Sequence, residues 1–417
     1  MASSIVAVVR AASYDAPVVE GALAEALGLL GIDSLGGESI LADGATVDGA
    51  TVDGATPQSG PADGGPASTA RRVLLKPNLL IPAAPDRAVT THPAVFGAVA
   101  RWLTRLGEPL SYGDSPSFEL SPGGAARRSG IAQEAESLGV TVADFQRGAE
   151  VHWPHGLVHR RFHLALGALE ARALVNLPKL KTHGLTTMTG ALKNLFGLVP
   201  GFRKKEYHVT HPDREGFSRM IADLAALVRP RLVVMDAISA MEGNGPSGGT
   251  PVALGLLIVS TDPVAVDAVA CRIAGIDASA VPVLAMAEAA GAGVASLDRI
   301  EVRGLALPGA GRAGTTIGRP FALPPRTPTA GVPSFLMRAG KRLLVPRPYI
   351  REDACRRCGT CVQACPVRPP ALSNGGRDEV PRFTYGRCIR CYCCQEVCPH
   401  GAVVIRLPAL ARVLPRA

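Results

Sequence analysis

The chain has 417 residues, 47% hydrophobic and 19% charged, enough for two or three domains and too apolar for a wholly disordered polymer. Aromatic residues make up only 4%, so the core must be built mainly from Ala, Val, Leu and Ile. The formal charge of +9 is uneven: residues 1–304 hold 26 Lys+Arg against 30 Asp+Glu, a sum of −4, and residues 305–417 hold 18 against 5, a sum of +13. A uniformly basic nucleic-acid binder would not divide this way, and aromatics for base stacking are scarce.

In chain order, Ile5 to Val9 is a β-branched run and Ala16 to Leu30 has helical spacing of apolar residues. Met1 to Asp15 lacks a basic segment followed by a long apolar stretch, so no signal peptide is expected. Residues 36–70 contain the pentad Asp-Gly-Ala-Thr-Val repeated from Asp43 to Thr56 and read as a flexible insertion. Arg72 to Lys76 reads as a strand, Pro93 to Leu106 as an amphipathic helix, Pro109 to Gly113 as a strand and Gly123 to Leu138 as a helix. Further strand-like runs are Val140 to Phe145, Arg172 to Leu177, Arg231 to Asp236 and Val252 to Ser260. Helical stretches at Met188 to Phe196, Glu215 to Val228 and Pro263 to Ile273 fall among them. This alternation predicts an α/β domain over residues 1–304 with a largely parallel sheet.

Leu305 to Ile350 contains no acidic residue, many prolines and seven Arg+Lys. It reads as a basic linker, with a short amphipathic helix around Phe335 to Leu344 and few contacts between the parts it joins. Residues 351–407 form a small α+β cysteine-rich module, followed by a tail at 408–417. No apolar run approaches the roughly 20 residues of a membrane helix, so no membrane association and a cytoplasmic location are expected.

Nine of the ten cysteines lie between Cys355 and Cys398, which suits metal binding in a reducing compartment better than a disulfide scaffold. Cys355, Cys358, Cys361 and Cys365 have the spacing C-x2-C-x2-C-x3-C followed by Pro366, and Cys388, Cys391, Cys394 and Cys398 repeat it before Pro399. This is the spacing of a bacterial two-cluster ferredoxin, whereas zinc sites usually pair two C-x2-C knuckles. It predicts two [4Fe–4S] clusters, one on Cys355, Cys358, Cys361 and Cys398, the other on Cys388, Cys391, Cys394 and Cys365. Cys393 is read as a spare thiol. Two cubes of roughly −2 each require about +4 in compensation, and residues 351–407 supply nine Arg against five acids. The surplus in the linker and tail leaves two readings open, a dock for an acidic electron-donor protein and a merely solvated segment.

The chain uses 37 Arg and only seven Lys, five of the latter between Lys179 and Lys205. Lysines kept against such a bias point to sites that need a compact, titratable ammonium. In an extended segment Lys179, Lys181 and His183 share a face, and Lys193 and Asn194 follow on a helical turn, with the basic loop Phe202 to His211 beyond. Such a cluster would hold a carboxylate or phosphate and could supply a proton. Lys76-Pro77-Asn78 and Gly113-Asp114-Ser115 end strands, where open α/β sheets gather ligands. The loop Glu242 to Gly249 formally contains G-x-G-x-x-G, but Pro246 interrupts it and a strand follows, so a dinucleotide site is rejected. It remains either a glycine loop bringing Glu242 and Asn244 near a ligand or a plain hairpin connection.

At Lys76-Pro77-Asn78, Gly113-Asp114-Ser115-Pro116, Pro178-Lys179-Leu180-Lys181-Thr182-His183, Thr189-Gly190-Ala191-Leu192-Lys193-Asn194, Met241 to Pro246 and Thr261 to Asp267, the chain resembles domain-of-unknown-function family 362. Many members of that family likewise end in a two-cluster ferredoxin module. The resemblance strengthens the fold and cluster expectations and supplies no reaction.

The leading expectation is an iron–sulfur oxidoreductase that passes single electrons to a small anionic substrate in the α/β domain. Lys181, His183 and Lys193 would bind or protonate that substrate. Lys76, Asn78, Asp114, Lys179, Asn194, Glu242 and Asn244 would bind or orient it. The alternative is a non-catalytic electron carrier or maturation factor whose α/β domain recognises a partner.

Overall fold

Successive side chains of a strand point to opposite faces, and here both faces are buried. In β1 (Ser4–Arg10), Val6 and Val8 enter one apolar core while Ala7 and Val9 enter another. A sheet of such strands requires helices on both sides. One side is covered by the helices Ala16–Leu30 and Pro93–Arg105, the other by Arg214–Leu227, Pro263–Ile273 and Pro282–Ala289. The computed structural model describes residues 3–36, 40, 46–47, 71–116, 122–201, 203–308, 318–325, 344–374 and 379–408.

The remaining strands of the large domain are β2 (Thr46–Val47), β3 (Val73–Pro77), β4 (Leu110–Tyr112), β5 (Thr141–Val142), β6 (Gly148–His152), β7 (Arg161–Ala165), β8 (Ala173–Leu177), β9 (Lys179–His183), β10 (Thr187–Thr189), β11 (Leu232–Glu242), β12 (Thr250–Ser260) and β13 (Ile300–Gly304). The main sheet runs β13-β1-β12-β11-β8-β3-β4-β5, with β9 and β10 branching from β11. It is mostly parallel. Only β12 runs against its neighbours β1 and β11 along this path, because a hairpin through 243–249 returns the chain beside β11. The glycine loop is therefore that hairpin connection.

The predicted insertion is partly tied down. Ile40 is buried in the core and accepts a hydrogen bond from the Arg229 amide, and β2 pairs with β6. The rest of residues 37–70, the predicted helix from Phe335 to Leu344 apart from its last residue, and the tail 408–417 apart from its first residue lie outside the described residues.

Three elements differ from expectation for local reasons. The helix predicted over Gly123 to Leu138 is two helices, Pro122–Arg128 and Ile131–Ser137, because Gly130 adopts φ 80° between them. The helix predicted from Met188 begins only at Ala191. Met188 and Thr189 instead pair with Thr182 and Lys181 as β10. The β6–β7 hairpin is an addition to the predicted elements, although Phe162 and Leu164 alternate inward along β7.

The second unit joins β14 (Arg347–Ile350) to β17 (Val403–Arg406) and β15 (Leu372–Ser373) to β16 (Arg382–Phe383), around the short helices Thr360–Gln363 and Cys393–Glu396. Among the described residues no helix is long and apolar enough to cross a membrane.

The segment leading to the large domain's polar centre is fixed by one contact. Asp267, on the helix capped by Asp262, accepts hydrogen bonds from the amides of Ala191 (2.6 Å) and Leu192 (3.0 Å). A Cβ at position 190 would overlap the Asp267 carboxylate, so Gly190 allows this approach. Gly190→Ala is expected to lower stability by about 1–3 kcal/mol in urea unfolding, the range for overpacking. Gly28→Ala is the control: nothing lies within 4 Å of a Cβ there, and removing a helical glycine should stabilise by up to about 1 kcal/mol.

Candidate functional site

The carboxyl ends of β3 and β4 meet through a buried ion pair. Lys76, with no solvent exposure, reaches Asp114 Oδ1 at 2.7 Å, and Asp114 Oδ2 accepts the Leu79 amide at 2.8 Å. Burial pulls the Lys76 pKa down and Asp114 opposes that fall. A Cβ on Gly197 would overlap the same carboxylate, so only glycine fits beside the pair.

A chain of amides extends from this point. Asn78 Nδ2 donates to Asn194 Oδ1 (3.0 Å), Asn194 Nδ2 to Asn176 Oδ1 (2.7 Å), and Asn176 Nδ2 to the Ala191 carbonyl (2.9 Å). Lys181 Nζ donates to Asn78 Oδ1 (2.8 Å) and the Val89 carbonyl (2.6 Å). Burial drives the Lys181 pKa well below its ordinary value, and the charges of Lys179 and Lys193 add to the fall. Lys204 donates to the carbonyls of Ser115 and Pro116, and burial brings its pKa down to about 7.

Several of these groups border one cavity, with about 40 Å³ open to the centres of water-sized molecules. Asn78, Asp114, Lys181, His183, Lys193 and Asn194 all line it. Lys193 Nζ rests over the rings of Phe196 and Phe217, 5.3 and 5.6 Å from their centres. The structure thus brings the three expected catalytic side chains together with three of the expected binding residues.

Four expected binding residues sit elsewhere. Lys76 supports the cavity from behind through Asp114. Lys179 bonds to Asp236 (2.8 Å) and Tyr14 (2.7 Å), not toward the cavity. The register explains this: between Lys179 and Lys181 strand β9 advances two residues while β11 advances from Asp236 to Met241, so the two lysines do not share one regular face. Glu242 pairs with Arg319 and accepts the Ala322 amide (2.9 Å). Asn244 belongs to the contact between the two units.

That contact is extensive, contrary to the few cross-contacts expected from the linker, because the second cysteine loop docks directly on the large domain. Gln395 Nε2 donates to the carbonyls of Asn244 (2.9 Å) and Gly245 (2.7 Å), and Asn244 Nδ2 donates to the Val403 carbonyl (3.0 Å). Ser247 Oγ donates to the Gln395 carbonyl (3.2 Å). Gly184 leaves room for Ile405, which joins the large domain's core with Tyr392.

The neighbouring residue Glu396 is 3% exposed and forms part of the cavity lining. Its Oε1 lies 3.0 Å from His183 Nε2. Burial pushes the Glu396 carboxyl up, but Lys193, His183 and His208 outweigh it and hold the group below the usual carboxylate range. Glu396, Lys204, His208 and Thr189 join the site beyond the residues expected from the sequence, though Lys204 stands among the retained lysines and His208 in the basic loop.

The two cysteine loops share a backbone. Arg357 (φ 54°) and Gly359 (φ 73°) flank Cys358 in the left-handed region, and Arg390 (φ 65°) and Tyr392 (φ 61°) flank Cys391 likewise. A short helix follows in each case. Thiols of the two loops lie close enough to act on one another. Burial, with Cys398, Cys358 and Cys355 adding to it, raises Cys361 to about 12. Burial also raises Cys394, with Cys391, Cys388, Cys361 and Cys365 adding to it. Cys355, Cys358, Cys361 and Cys398 border a cavity that also touches Gly359, Pro399 and Val403. Among the described residues no three His, Cys, Asp or Glu side chains converge on a single-ion site. Thiols spread around a cavity suit a polynuclear cluster better than one ion. Cys393 is fully buried, and burial and a hydrogen bond with Cys391 raise its pKa.

Residues 73–272 match the family model described as domain of unknown function DUF362, and residues 347–399 match a 4Fe-4S dicluster domain. The chain belongs to the DUF362 family and carries a 4Fe-4S ferredoxin-type domain. A stretch of 221 residues is 38% identical to Thylakoid-associated protein sll1697 of Synechocystis sp., covering 53% of this chain and 68% of that protein. Another of 69 residues is 35% identical to one component of the H(2):CoB-CoM heterodisulfide,ferredoxin reductase of Methanothermobacter thermautotrophicus, covering 13% of this chain and 10% of that component.

Lys76→Met leaves a buried carboxylate without its cation. It is expected to cost about 3–5 kcal/mol in urea unfolding, and adding Asp114→Asn should recover part of that loss.

Proposed function

We propose that the chain is an iron–sulfur oxidoreductase holding two [4Fe–4S] clusters and reducing a small anionic substrate in the cavity between its two units. Cys355, Cys358, Cys361 and Cys398 would hold one cluster and Cys388, Cys391, Cys394 and Cys365 the other, with Cys393 outside both sets. When bound, such clusters supply electrons one at a time. A reducing cytoplasm suits thiols reserved for this role.

One observation carries the reading. Glu396, between Cys394 and Cys398, lines the same cavity as Lys181, His183 and Lys193, so the second cysteine loop and the cationic cluster form walls of one site. In that site the lysines attract and orient an anion, Asn78 fixes Lys181, and the docked module limits the space open to water. An ammonium such as Lys193 can give up a proton where reduction builds negative charge. The match to part of a heterodisulfide, ferredoxin reductase supports electron transfer for the module, and an electron-donor protein, acidic enough to meet the basic linker, would supply it.

Anaerobic preparations are expected to contain about eight iron and eight sulfide per chain. Zinc without acid-labile sulfide would contradict the cluster assignment. Cys355→Ala and Cys388→Ala should each disturb one cluster, and Cys393→Ala neither. Lys181→Arg keeps the charge but cannot fit a fully buried, doubly bonded ammonium site, so substrate-dependent reoxidation of the reduced clusters should slow by roughly tenfold or more. An unchanged rate in both Lys181→Arg and His183→Ala favours the alternative, a carrier or maturation factor whose large domain only recognises a partner.

A further inference from the structure

We propose that the cavity is a preformed site for a small oxyanion bearing one hydroxyl, with an anion oxygen received by His183 Nε2–H, and that His183 is a fixed hydrogen-bond donor there, not a proton carrier. The proposal deepens the reading of the cavity as a substrate site and rests on it.

The tautomer follows from the backbone. His183 Nδ1 lies 3.0 Å from the Leu185 amide and 3.3 Å from the Thr186 amide. Both amides donate, so Nδ1 accepts and the single hydrogen of the neutral ring sits on Nε2. Burial disfavours the doubly protonated ring, and Glu396 opposes that shift without reversing it. Nε2 is buried and, although near Glu396 Oε1, lacks the alignment of a hydrogen bond.

Two further donors reach the same space. Thr189 Oγ1, on β10, is buried in the lining without a hydrogen-bond partner. Lys193 lies over two aromatic rings and near the Glu396 carboxylate, and its ammonium has donors to spare for a further acceptor. Thr189 Oγ1 and His183 Nε2 are buried without a hydrogen bond, which is costly, and the half-buried Lys193 faces the same space. An anion with several acceptor oxygens satisfies all three. Glu396 Oε1 is a buried acceptor in the same lining, also without a hydrogen bond, and a hydroxyl on the anion would meet it. A space of about 40 Å³ for water-sized centres holds roughly three waters by the usual allowance of 10–15 Å³ each. That favours a small ligand.

Bicarbonate and nitrate are planar, singly charged and equal in heavy-atom count, and only bicarbonate carries a hydroxyl. Calorimetric titration of the anaerobic, cluster-loaded full chain with each salt tests the proposal. Saturable one-to-one binding of both is expected, with bicarbonate tighter by roughly tenfold for its added charge-assisted hydrogen bond. Thr189→Val, nearly isosteric, should weaken both by several-fold and Lys193→Gln by roughly tenfold or more. His183→Gln, which keeps a donor N–H, should retain more affinity than His183→Leu. Absence of binding, or unchanged dissociation constants in both Thr189→Val and Lys193→Gln, would overturn the site. Nitrate binding as tightly as bicarbonate would overturn the hydroxyl requirement, and equal loss in the two His183 variants the donor role. Binding is read without turnover, so anions that bind as stated but do not reoxidise reduced clusters uphold the site and refute the reductase reading. Another anion that reoxidises them while neither bicarbonate nor nitrate binds does the opposite.

Discussion

A carboxylate from the cysteine module is buried among the cations of another domain. Glu396 could not remain charged there alone, since an isolated buried charge costs several kcal/mol. Lys193 makes the position tenable, with the rings of His183 and His208 as polar neighbours, and favours the charged form of the carboxyl. The dependence is mutual: Lys193 has ring faces beside it, and the carboxylate offsets part of the positive charge that Lys181, Lys193 and Lys204 bring to one cavity. Electrostatics of this kind fix orientation as well as contact. With Gln395 bonded to the 244–245 backbone, the loop between Cys391 and Cys398 presents one face to the cavity.

The inner wall depends on a different economy of polar groups. Lys76, Asp114, Asn78, Asn194, Asn176 and Lys181 are all buried, and each makes at least one hydrogen bond to another member or to the backbone. Such a network is rigid when fully satisfied. Asp267 and Gly190 anchor its far end, and Gly197 leaves room beside Asp114. The family's six sequence motifs thus become one structure: three lie at strand ends, one is the strand with Lys181 and His183, one forms the short helix with Lys193, and one the capped helix that holds Gly190 in place.

The sheet is legible in the sequence because its strands are β-branched runs bounded by Pro and Gly, and the cysteine loops because their spacing is itself geometric. Asn78 and Asp114 can be read from strand ends, and Lys181, His183 and Lys193 from retained lysines around a short extended segment. Other features have no local signal. The partner of Glu242 is Arg319, 77 residues on. The irregular pairing of β9 with β11 sends Lys179 to Tyr14, a residue near the amino terminus. Thr189 reads as helical because its pairing with Lys181 depends on a hairpin around Thr187, whose φ of 72° propensity does not reveal. Glu396 reads as one charge in a cluster loop, since its meaning arises only when that loop docks.

Docking of the cysteine module against Lys193 is the claim on which this account turns. Its most direct test is an anaerobic redox titration of Lys193→Gln, followed by electron paramagnetic resonance of the reduced clusters. Lys193 lies about two hundred residues from the second cysteine loop in sequence, so it can act on a cluster there only through the folded interface. Removing a nearby cation disfavours the extra electron. On the two-cluster proposal, the midpoint potential of the cluster beside Glu396 should therefore become more negative in Lys193→Gln, while that of the cluster near Cys358 changes less. Identical potentials for both clusters in the wild-type protein and the variant, at equal iron content, would contradict the docked arrangement.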